Sequence, residues 1–281
     1  MSRHRVLFLS DLHAGSVWGL WPENYKADHD RCLPPSDAQK MLYAEWVRLC
    51  GLFKKSKPNT VILNGDIIDD PGYVKRGREQ MTPDLNDQVF AAEELVRMAL
   101  KAANPETVYA LSGSDYHSSV QQDNERQLAK NLGVEYLGCG PHDLVFDGVS
   151  VNVSHGEGGV YWYRGTKLDK IGFAMLLGIA GEGLYDAKHI VRSHYHFEAH
   201  LHYRHQDMYV TPCFQMQTDF MRKKDPLKMI PNIGAMELTI EGGVVTPRFY
   251  ACRHPPRPKT FVSGYSVHPE EAKKVRRIKK W

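Results

Sequence analysis

The stretch TVILNGDIID, residues 60–69, decides the fold that this sequence predicts. Its first four residues form a short apolar run, which is typical of a buried strand. Gly65 and Asp66 follow, so the strand ends in a turn that presents a carboxylate at the edge of a sheet. A single Gly-Asp pair is most often only a turn. Here the Gly-Asp pair indicates a functional site, because four other patches rich in Asp and His also follow apolar runs.

These four patches are spread along the first two thirds of the chain. They are Asp11-Leu-His13, Gly113-Ser-Asp-Tyr-His117, His155-Gly156 and His194-Tyr-His196. Ligands of open α/β sheets sit outside the carboxyl ends of the strands. We therefore expect all five patches to converge on one metal centre with Asp66 in the middle.

The first half of the chain predicts a largely parallel sheet covered by helices. Apolar strand runs alternate with segments whose apolar residues recur at helical spacing, and this alternation is typical of parallel sheets. The predicted strands are 5–10, 60–64 and 107–111, and the predicted helices begin at Ser36, span 87–103, and run from 120 to 132 with Ser118 or Ser119 as cap.

The second half of the chain predicts hairpins and one further helix. An Asp147-Gly148 turn between two apolar runs indicates a hairpin. We expect these hairpins to form a second sheet that faces the first. The remaining predicted elements are a helix around 168–176 and strands at 190–192, 208–213, 235–240 and 244–251.

Composition is that of an ordinary globular protein. The 281 residues are 42% hydrophobic and 25% charged, with a net charge of +3 that is too small to indicate nucleic acid by itself. Five scattered cysteines favour a reducing compartment over a disulfide framework. We predict one cytoplasmic domain, 1–281, without signal peptide or membrane span, with insertions near 14–35 and 71–86 and a basic tail at 268–281.

The histidine content is high, with 14 residues, and histidine is the commonest protein ligand of metals. Asp11 and His13, two positions apart on an extended segment, can hold one ion from the same side. Asp66 can bridge two ions with its two oxygens, and His155 can add a ligand. His194 and His196 repeat the spacing, but His200-Leu-His202 is an equally good string nearby, so the choice between the two stays open.

Taken together, Asp11-x-His13, Gly65-Asp66-x-x-Asp69, Gly113-x-x-x-His117, His155-Gly156 and His194-x-His196 resemble the motifs of the calcineurin-like metallophosphoesterases. The resemblance implies a four-layer αββα sandwich, in which two facing mixed sheets are flanked by helices. It also implies two divalent ions, Mn²⁺ before Fe, Zn or Ni, with a metal-bridging hydroxide as nucleophile. On this resemblance Asp11, His13, Asp66 and His196 hold one ion, and Asp66, His155 and His194 hold the other.

Two positions depart from the family pattern. The family usually has Gly-Asn-His-Asp/Glu after the third strand, whereas this chain has Ser114 in place of the metal-binding Asn. Either Ser114 or Asp115 is the candidate substitute ligand, and His117 stands two places later than the usual His. Ser193 replaces the Gly that usually precedes the His-x-His pair.

The functional hypothesis is a metal-dependent phosphoesterase that hydrolyses a phosphodiester, as a nuclease or a nucleotide phosphodiesterase. Asp66 and His117 are its candidate catalytic residues, with His117 as general acid or transition-state stabiliser. The alternatives are a phosphomonoesterase acting on a small molecule or phosphoprotein, and a non-catalytic binding module on the same fold. The candidate substrate contacts are Asp115, Trp162 and Arg164.

Nucleic acid is a candidate partner of such an enzyme, whereas the sequence leaves the oligomeric state open. The basic tail could bind phosphates, and loop aromatics could stack on bases. These aromatics are Trp18, Trp21, Tyr161 and Trp162.

Overall fold

The structure is a computed structural model of the chain. It describes residues 3–26, 33–70, 79–117, 123–156, 158–176, 188–204, 206–225, 227, 229–252, 261–262 and 265–266.

Thirteen strands and five α-helices occur in the described residues. In chain order the strands are β1 Arg3–Leu9, β2 Thr60–Asn64, β3 Thr107–Leu111, β4 Glu135–Gly138, β5 His142–Phe146, β6 Val149–Ser154, β7 His189–Arg192, β8 Ala199–Tyr203, β9 Gln206–Val210, β10 Gly234–Glu241, β11 Val244–Ala251, β12 Phe261–Val262 and β13 Tyr265–Ser266. The helices are α1 Asp37–Ser56, α2 Leu85–Ala103, α3 Asn124–Leu132, α4 Thr166–Leu176 and α5 Asp219–Lys224, with a 3₁₀ turn at Asp115–His117.

Six strands form the first sheet in the order β11-β10-β1-β2-β3-β4. β1 to β4 run parallel, and β10 pairs antiparallel with β1. Alternate residues of β1 enter two different cores: Leu7 and Leu9 face the helices, and Val6 and Phe8 face the other sheet. Because both faces of the strand are buried, its sequence reads as a continuous apolar run.

Five strands form the second sheet in the order β5-β6-β7-β9-β8. Its residues Val153 and Tyr209 pack against Phe8 and Ile62 of the first sheet. On its other face, helix α4 covers the strands through Leu168. With α1, α2 and α3 packed on the first sheet, the layers follow the order helix, sheet, sheet, helix. The predicted αββα sandwich is therefore confirmed.

Helix α1 shows how the local sequence fixes these layers. Ser36 accepts a hydrogen bond from the Gln39 backbone N–H at 3.2 Å, and the Gln39 side chain accepts one from the Ser36 backbone at 3.0 Å. This reciprocal capping box starts the helix where the sequence predicts it. The predicted apolar face is buried against the first sheet, and it comprises Leu42, Trp46, Leu49, Cys50 and Phe53.

Some details of the predicted topology are wrong. The hairpin of β10 and β11 extends the first sheet rather than the second, because β10 pairs with β1. Helix α3 begins at Asn124 with Asp123 as its cap, whereas the predicted start at 120 and the predicted caps Ser118 and Ser119 lie outside the described residues. The sequence pattern does not predict strands β4, β8, β12 and β13 or helix α5.

The structure describes part of the first predicted insertion, 14–35, but only the end of the second, 71–86. Residues 14–26 lack regular helix or strand, but Leu20 and Trp21 within them are fully buried. Residues 71–78 and the basic tail lie outside the described residues.

Among the helices that the structure describes, none is both long and apolar enough to span a membrane. The four cysteines in the described ranges are free thiols, two of them buried.

Candidate metal centre

All five Asp and His patches lie at the same edge of the sandwich. Asp11 and Asp66 each stand two residues past a parallel strand of the first sheet, β1 and β2. His155 directly follows β6, and His194 stands two residues past β7 in the second sheet. Since carboxyl ends of parallel strands share an edge, the two sheets bring these side chains together between them.

The backbone of five candidate ligands is left-handed. The φ angles are 52° at Asp11, 48° at His13, 50° at Asp66, 73° at His194 and 59° at His196. Such angles are uncommon for residues other than glycine, and they persist where the surrounding structure enforces them, often at functional sites. The motifs of the sequence gave no sign of this conformation.

A first cluster joins Asp11, His13 and His196. The Nε2 atoms of the two rings are 3.1 Å apart, and Asp11 Oδ1 lies 3.2 Å from Nε2 of His196 and 3.9 Å from Nε2 of His13. All three residues are buried. Their ligand atoms therefore converge on one point.

A second cluster joins Asp66, His155 and His194. Asp66 Oδ2 lies 2.9 Å from His155 Nε2 and 3.9 Å from His194 Nδ1. The ligand atoms within each cluster all lie within 4.8 Å of one another. His155 Nε2 is also 3.9 Å from Asp11 Oδ1, so the two clusters are adjacent.

Each of three histidines is oriented by a hydrogen bond on its remote nitrogen. His155 Nδ1 donates to the Asn64 carbonyl at 2.7 Å, and His194 Nε2 donates to the Gly158 carbonyl at 2.9 Å. His13 Nδ1 lies 3.1 Å from Asp69 Oδ1. Such partners fix the tautomer and leave the other nitrogen to bind a metal. Asp69 belongs to the Gly65-Asp66-x-x-Asp69 motif, but the sequence does not predict that it orients His13.

Buried charges in the two clusters shift the pKa values of neighbouring ligands. Burial would raise the pKa of Asp11, but the positive charges of His155 and His196 outweigh it and lower that pKa to about 2. Burial would lower the pKa of His155, but Asp66 and Asp11 raise it to about 9. The carboxylates thus remain ionised, and protonated imidazole balances them.

The donor set fits divalent metal ions. Buried Asp11 Oδ1, His155 Nε2 and His194 Nδ1 make no hydrogen bond of normal geometry within the described part of the chain. Imidazole nitrogen and carboxylate oxygen are ligands that zinc and other first-row transition metals accept. A cation at each cluster would satisfy these atoms in place of protons.

Ser114 holds the central carboxylate. Its backbone N–H donates to Asp66 Oδ1 at 2.8 Å, and its hydroxyl lies 3.1 Å from Asp66 Oδ2. Asp115 is exposed in the 3₁₀ turn and lines the adjoining cavity. The structure thus places the Ser114 hydroxyl on the carboxylate that the two ions are predicted to share.

Gly113→Ala is expected to weaken metal binding by at least about tenfold, since orienting contacts of metal ligands are worth this much. A Cβ at position 113 would collide with Asp66 Oδ1 and come within 2.6 Å of the Asp66 backbone nitrogen. Competition with a chromophoric chelator measures the affinity. The control is Gly51→Ala, in the exposed middle of α1, where a Cβ meets no atom within 4 Å. Unchanged affinity in Gly113→Ala would refute this packing.

His117 lies beside the first cluster. Its Nδ1 lies 2.7 Å from the carbonyl oxygen of Asp69, and its ring centroid is 4.4 Å from that of His13. Because a carbonyl only accepts, Nδ1 carries a proton and Nε2 is the nitrogen that can exchange one with a substrate. His117 also lines the cavity.

The cavity in front of the clusters has a volume of about 960 Å³. Its lining combines the metal-ligand candidates Asp66, His155, His194 and His196 with a group of apolar side chains. The apolar part of the lining includes Val160, Ile171, Met175, Phe220, Met221 and Met229. This volume is within the range of small-molecule sites.

Two predicted substrate contacts lie away from the cavity lining. The Arg164 guanidinium donates to Asn232 Oδ1 at 3.0 Å and to the Ile230 carbonyl at 2.9 Å, and it packs over Phe197. The Trp162 side chain is 65% exposed. The structure therefore brings Asp115 to the site but not Arg164 or Trp162. His200 and His202 are also separate from the clusters, which contain His194 and His196 instead.

Glu125 is a buried acid near the centre that the sequence did not single out. Its Oε1 accepts the backbone N–H of Ile67 at 2.8 Å and approaches that of Ile68 at 3.4 Å, which fixes the loop after Asp66. Burial, together with the charge of Asp66, raises the pKa of Glu125 to about 8. No motif signals this role, since an acid in a first helical turn is common.

Glu125→Gln is expected to flatten the pH dependence of stability in the metal-free protein. The folded state keeps a proton that the unfolded state releases above the ordinary pKa of 4.5, so this stabilisation is full below 4.5 and is lost as pH rises through about 8. Between pH 4.5 and about 8, the free energy of unfolding should therefore fall more steeply with pH in the parent than in Glu125→Gln. The difference in slope should be about 1.4 kcal/mol per pH unit. Urea unfolding at several pH values measures it. Exposed Glu135→Gln is the control, and equal slopes in Glu125→Gln and parent would contradict the assignment.

Comparison with known proteins gives matches in structure alone. No family model matches the chain, and neither does any curated protein sequence. A predicted phosphoesterase from Streptococcus pneumoniae matches with 10% identity and a TM-score of 0.41, over 92% of this chain and 95% of that one. An archaeal phosphodiesterase matches with 12% identity and a TM-score of 0.45, over 88% and 99%. Vps29 of Entamoeba histolytica in complex with Zn²⁺ matches with 12% identity and a TM-score of 0.40, over 88% and 98%.

The chain's own layers define its class of fold. It is an αββα sandwich with Asp and His side chains gathered at the carboxyl ends of the strands. This is the architecture that the resemblance to calcineurin-like metallophosphoesterases implies.

Proposed function

We propose that the protein is a dinuclear metal-dependent phosphoesterase. The observation that carries the proposal is the pair of adjacent Asp/His clusters, with Asp66 in one and His155 within reach of both carboxylates. Each cluster offers one carboxylate and two imidazoles, and both open on the same cavity. A structural metal site would be closed on all sides, whereas a catalytic site keeps a position open to substrate.

Asp11, His13 and His196 would hold one ion, and His155 and His194 the other, with Asp66 shared between them. Two such ions would lower the pKa of a water and neutralise charge on the phosphoryl oxygens. The mixed nitrogen and oxygen donors suit Mn²⁺, Fe, Zn and Ni, and Mn²⁺ is the ion to supply first because the family resemblance implies it.

The protein's own groups position the ester and exchange the proton. His117 would donate from Nε2 to the leaving oxygen, while the bond from Nδ1 to the Asp69 carbonyl holds the ring. Lys167 and Lys224 line the cavity and would attract the phosphate anion.

A phosphodiester of about nucleotide size is the substrate class that we favour. The apolar part of the cavity lining gives room for a second ester substituent next to the metal ligands. Base stacking by Trp18 and Trp21 has no support, because Trp21 is fully buried and Arg222 lies 4.3 Å over the Trp18 ring. We further propose that residues 1–281 form one domain, since the two sheets share a core around Phe8 and Tyr209.

The test is hydrolysis of bis(p-nitrophenyl) phosphate and p-nitrophenyl phosphate by chelator-treated protein, with and without added Mn²⁺, Fe²⁺, Zn²⁺ or Ni²⁺. We expect metal-stimulated hydrolysis with a higher kcat/KM for the diester. A higher value for the monoester would favour the phosphomonoesterase alternative. No stimulation on either ester by any of the four metals would refute the phosphoesterase.

A non-catalytic binding module is the second candidate, and the position of Ser114 is the observation that favours it. A hydroxyl is a poorer ligand than the Asn amide oxygen that the family uses, and here it hydrogen-bonds to Asp66. Metal analysis separates the two candidates, since close to two ions per chain with esterase activity would exclude the module.

A further inference from the structure

A separate histidine cluster lies on the second sheet. His202 of edge strand β8 stands directly opposite Asp207 of β9, and Asp207 stands opposite His189 of β7 on its other side. The three side chains therefore form a row, His-Asp-His, across three strands. His200 lies two residues from His202 and projects from the same face.

The nitrogen atoms of this cluster converge on one carboxylate. Asp207 Oδ1 lies 2.8 Å from His200 Nε2 and 2.9 Å from His202 Nδ1, and Asp207 Oδ2 lies 4.0 Å from His189 Nδ1. The ligand atoms of His200, His202 and Asp207 all lie within 4.8 Å of one another. The His200 ring is held by stacking on Tyr209, with centroids 4.7 Å apart.

The cluster is remote from the candidate metal centre. Strand β7 begins at His189, in this cluster, and leads to His194, in the other one. Three steps of extended chain, or roughly 10 Å, span β7 from His189 to Arg192, and His194 lies two residues further on. The phosphoesterase proposal therefore makes no use of His200, His202 or Asp207.

We propose that His200, His202 and Asp207 bind a further divalent transition-metal ion, with Zn²⁺ as the best-suited ion. Ligand atoms on a tetrahedral zinc with bonds of about 2 Å are roughly 3.3 Å apart, so small side-chain movements would bring these atoms to such an ion. The ion would replace the two imidazole protons that now face Asp207 Oδ1. Water or His189 would complete the coordination, and the ion would cross-link edge strand β8 to β9.

The test is the number and affinity of Zn²⁺ ions bound by the full chain in equilibrium dialysis. We expect the double variant His200→Ala/His202→Ala to bind one ion fewer than the parent. The control His142→Ala, on β5 of the same sheet, should keep the parent's number. Asp66→Asn, which is directed at the other centre, should retain this ion.

Affinity and heat stability give a second readout that does not depend on hydrolysis. In the Asp66→Asn background, Zn²⁺ should raise the Tm, and adding His200→Ala/His202→Ala should reduce that rise. Asp207→Asn, which keeps the side-chain size, should weaken this site by at least about tenfold. Parent-like stoichiometry in the double variant, or parent-like affinity in Asp207→Asn, would overturn the proposal. These outcomes do not bear on the phosphoesterase, whose test uses other residues.

Discussion

Asp66→Asn is expected to lower kcat/KM for an aryl phosphodiester by about three orders of magnitude or more, since metal ions contribute several kcal/mol to such reactions. Asp66 contacts His155 at 2.9 Å and Ser114 at 2.8 Å, and it belongs to the second cluster, which is adjacent to the first. Although burial would raise it, the charges of His155 and His117 hold the pKa of Asp66 well below its ordinary value. Asparagine keeps the shape but removes the charge that two cations would share.

Two measurements accompany this variant. Metal analysis in the His200→Ala/His202→Ala background should give at most one ion per chain with Asp66→Asn, compared with two without it. The matched control is Asp147→Asn in the β5–β6 turn, where φ is 46° and asparagine is equally well accommodated. The control should keep parent-like activity. Parent-like hydrolysis by Asp66→Asn would show that the site assignment is wrong.

The sequence predicts those parts of the fold that depend on local pattern. Alternate burial on two faces makes β1 and β2 continuous apolar runs, and Ser36 with Gln39 marks the start of α1. The convergence of the patches follows from the parallel arrangement, because strand ends then meet at one edge.

Features that depend on contacts between distant segments are not predicted by the local sequence pattern. The pattern of β10 identifies a strand, but only its pairing with β1 decides which sheet it joins. Packing of remote segments likewise produces the left-handed backbone at Asp66 and the hydrogen bond between Asp69 and His13. The sequence predicts which residue types are candidate metal ligands, but it does not predict which groups orient them.

His117→Asn is expected to slow hydrolysis of an alkyl phosphodiester by about 10²–10⁴-fold, the usual contribution of a general acid. Hydrolysis of a nitrophenyl diester should change by less than about tenfold, because that leaving group departs as a stable anion without a proton. The asparagine amide can still donate to the Asp69 carbonyl, which now lies 2.7 Å from His117 Nδ1. The local structure is thereby kept while the exchangeable proton is lost.

The comparison with His13→Asn distinguishes an acid from a metal ligand. His13 belongs to the first cluster, so its variant should lose bound metal and should slow both esters alike. His117 also lies within ligand reach of His13 and Asp66, with all three ligand atoms inside 4.8 Å. If His117→Asn lost metal and slowed both esters equally, His117 would be a ligand rather than the acid. Parent-like metal content with a selective loss on the alkyl ester requires that Nε2 of His117 supplies the proton.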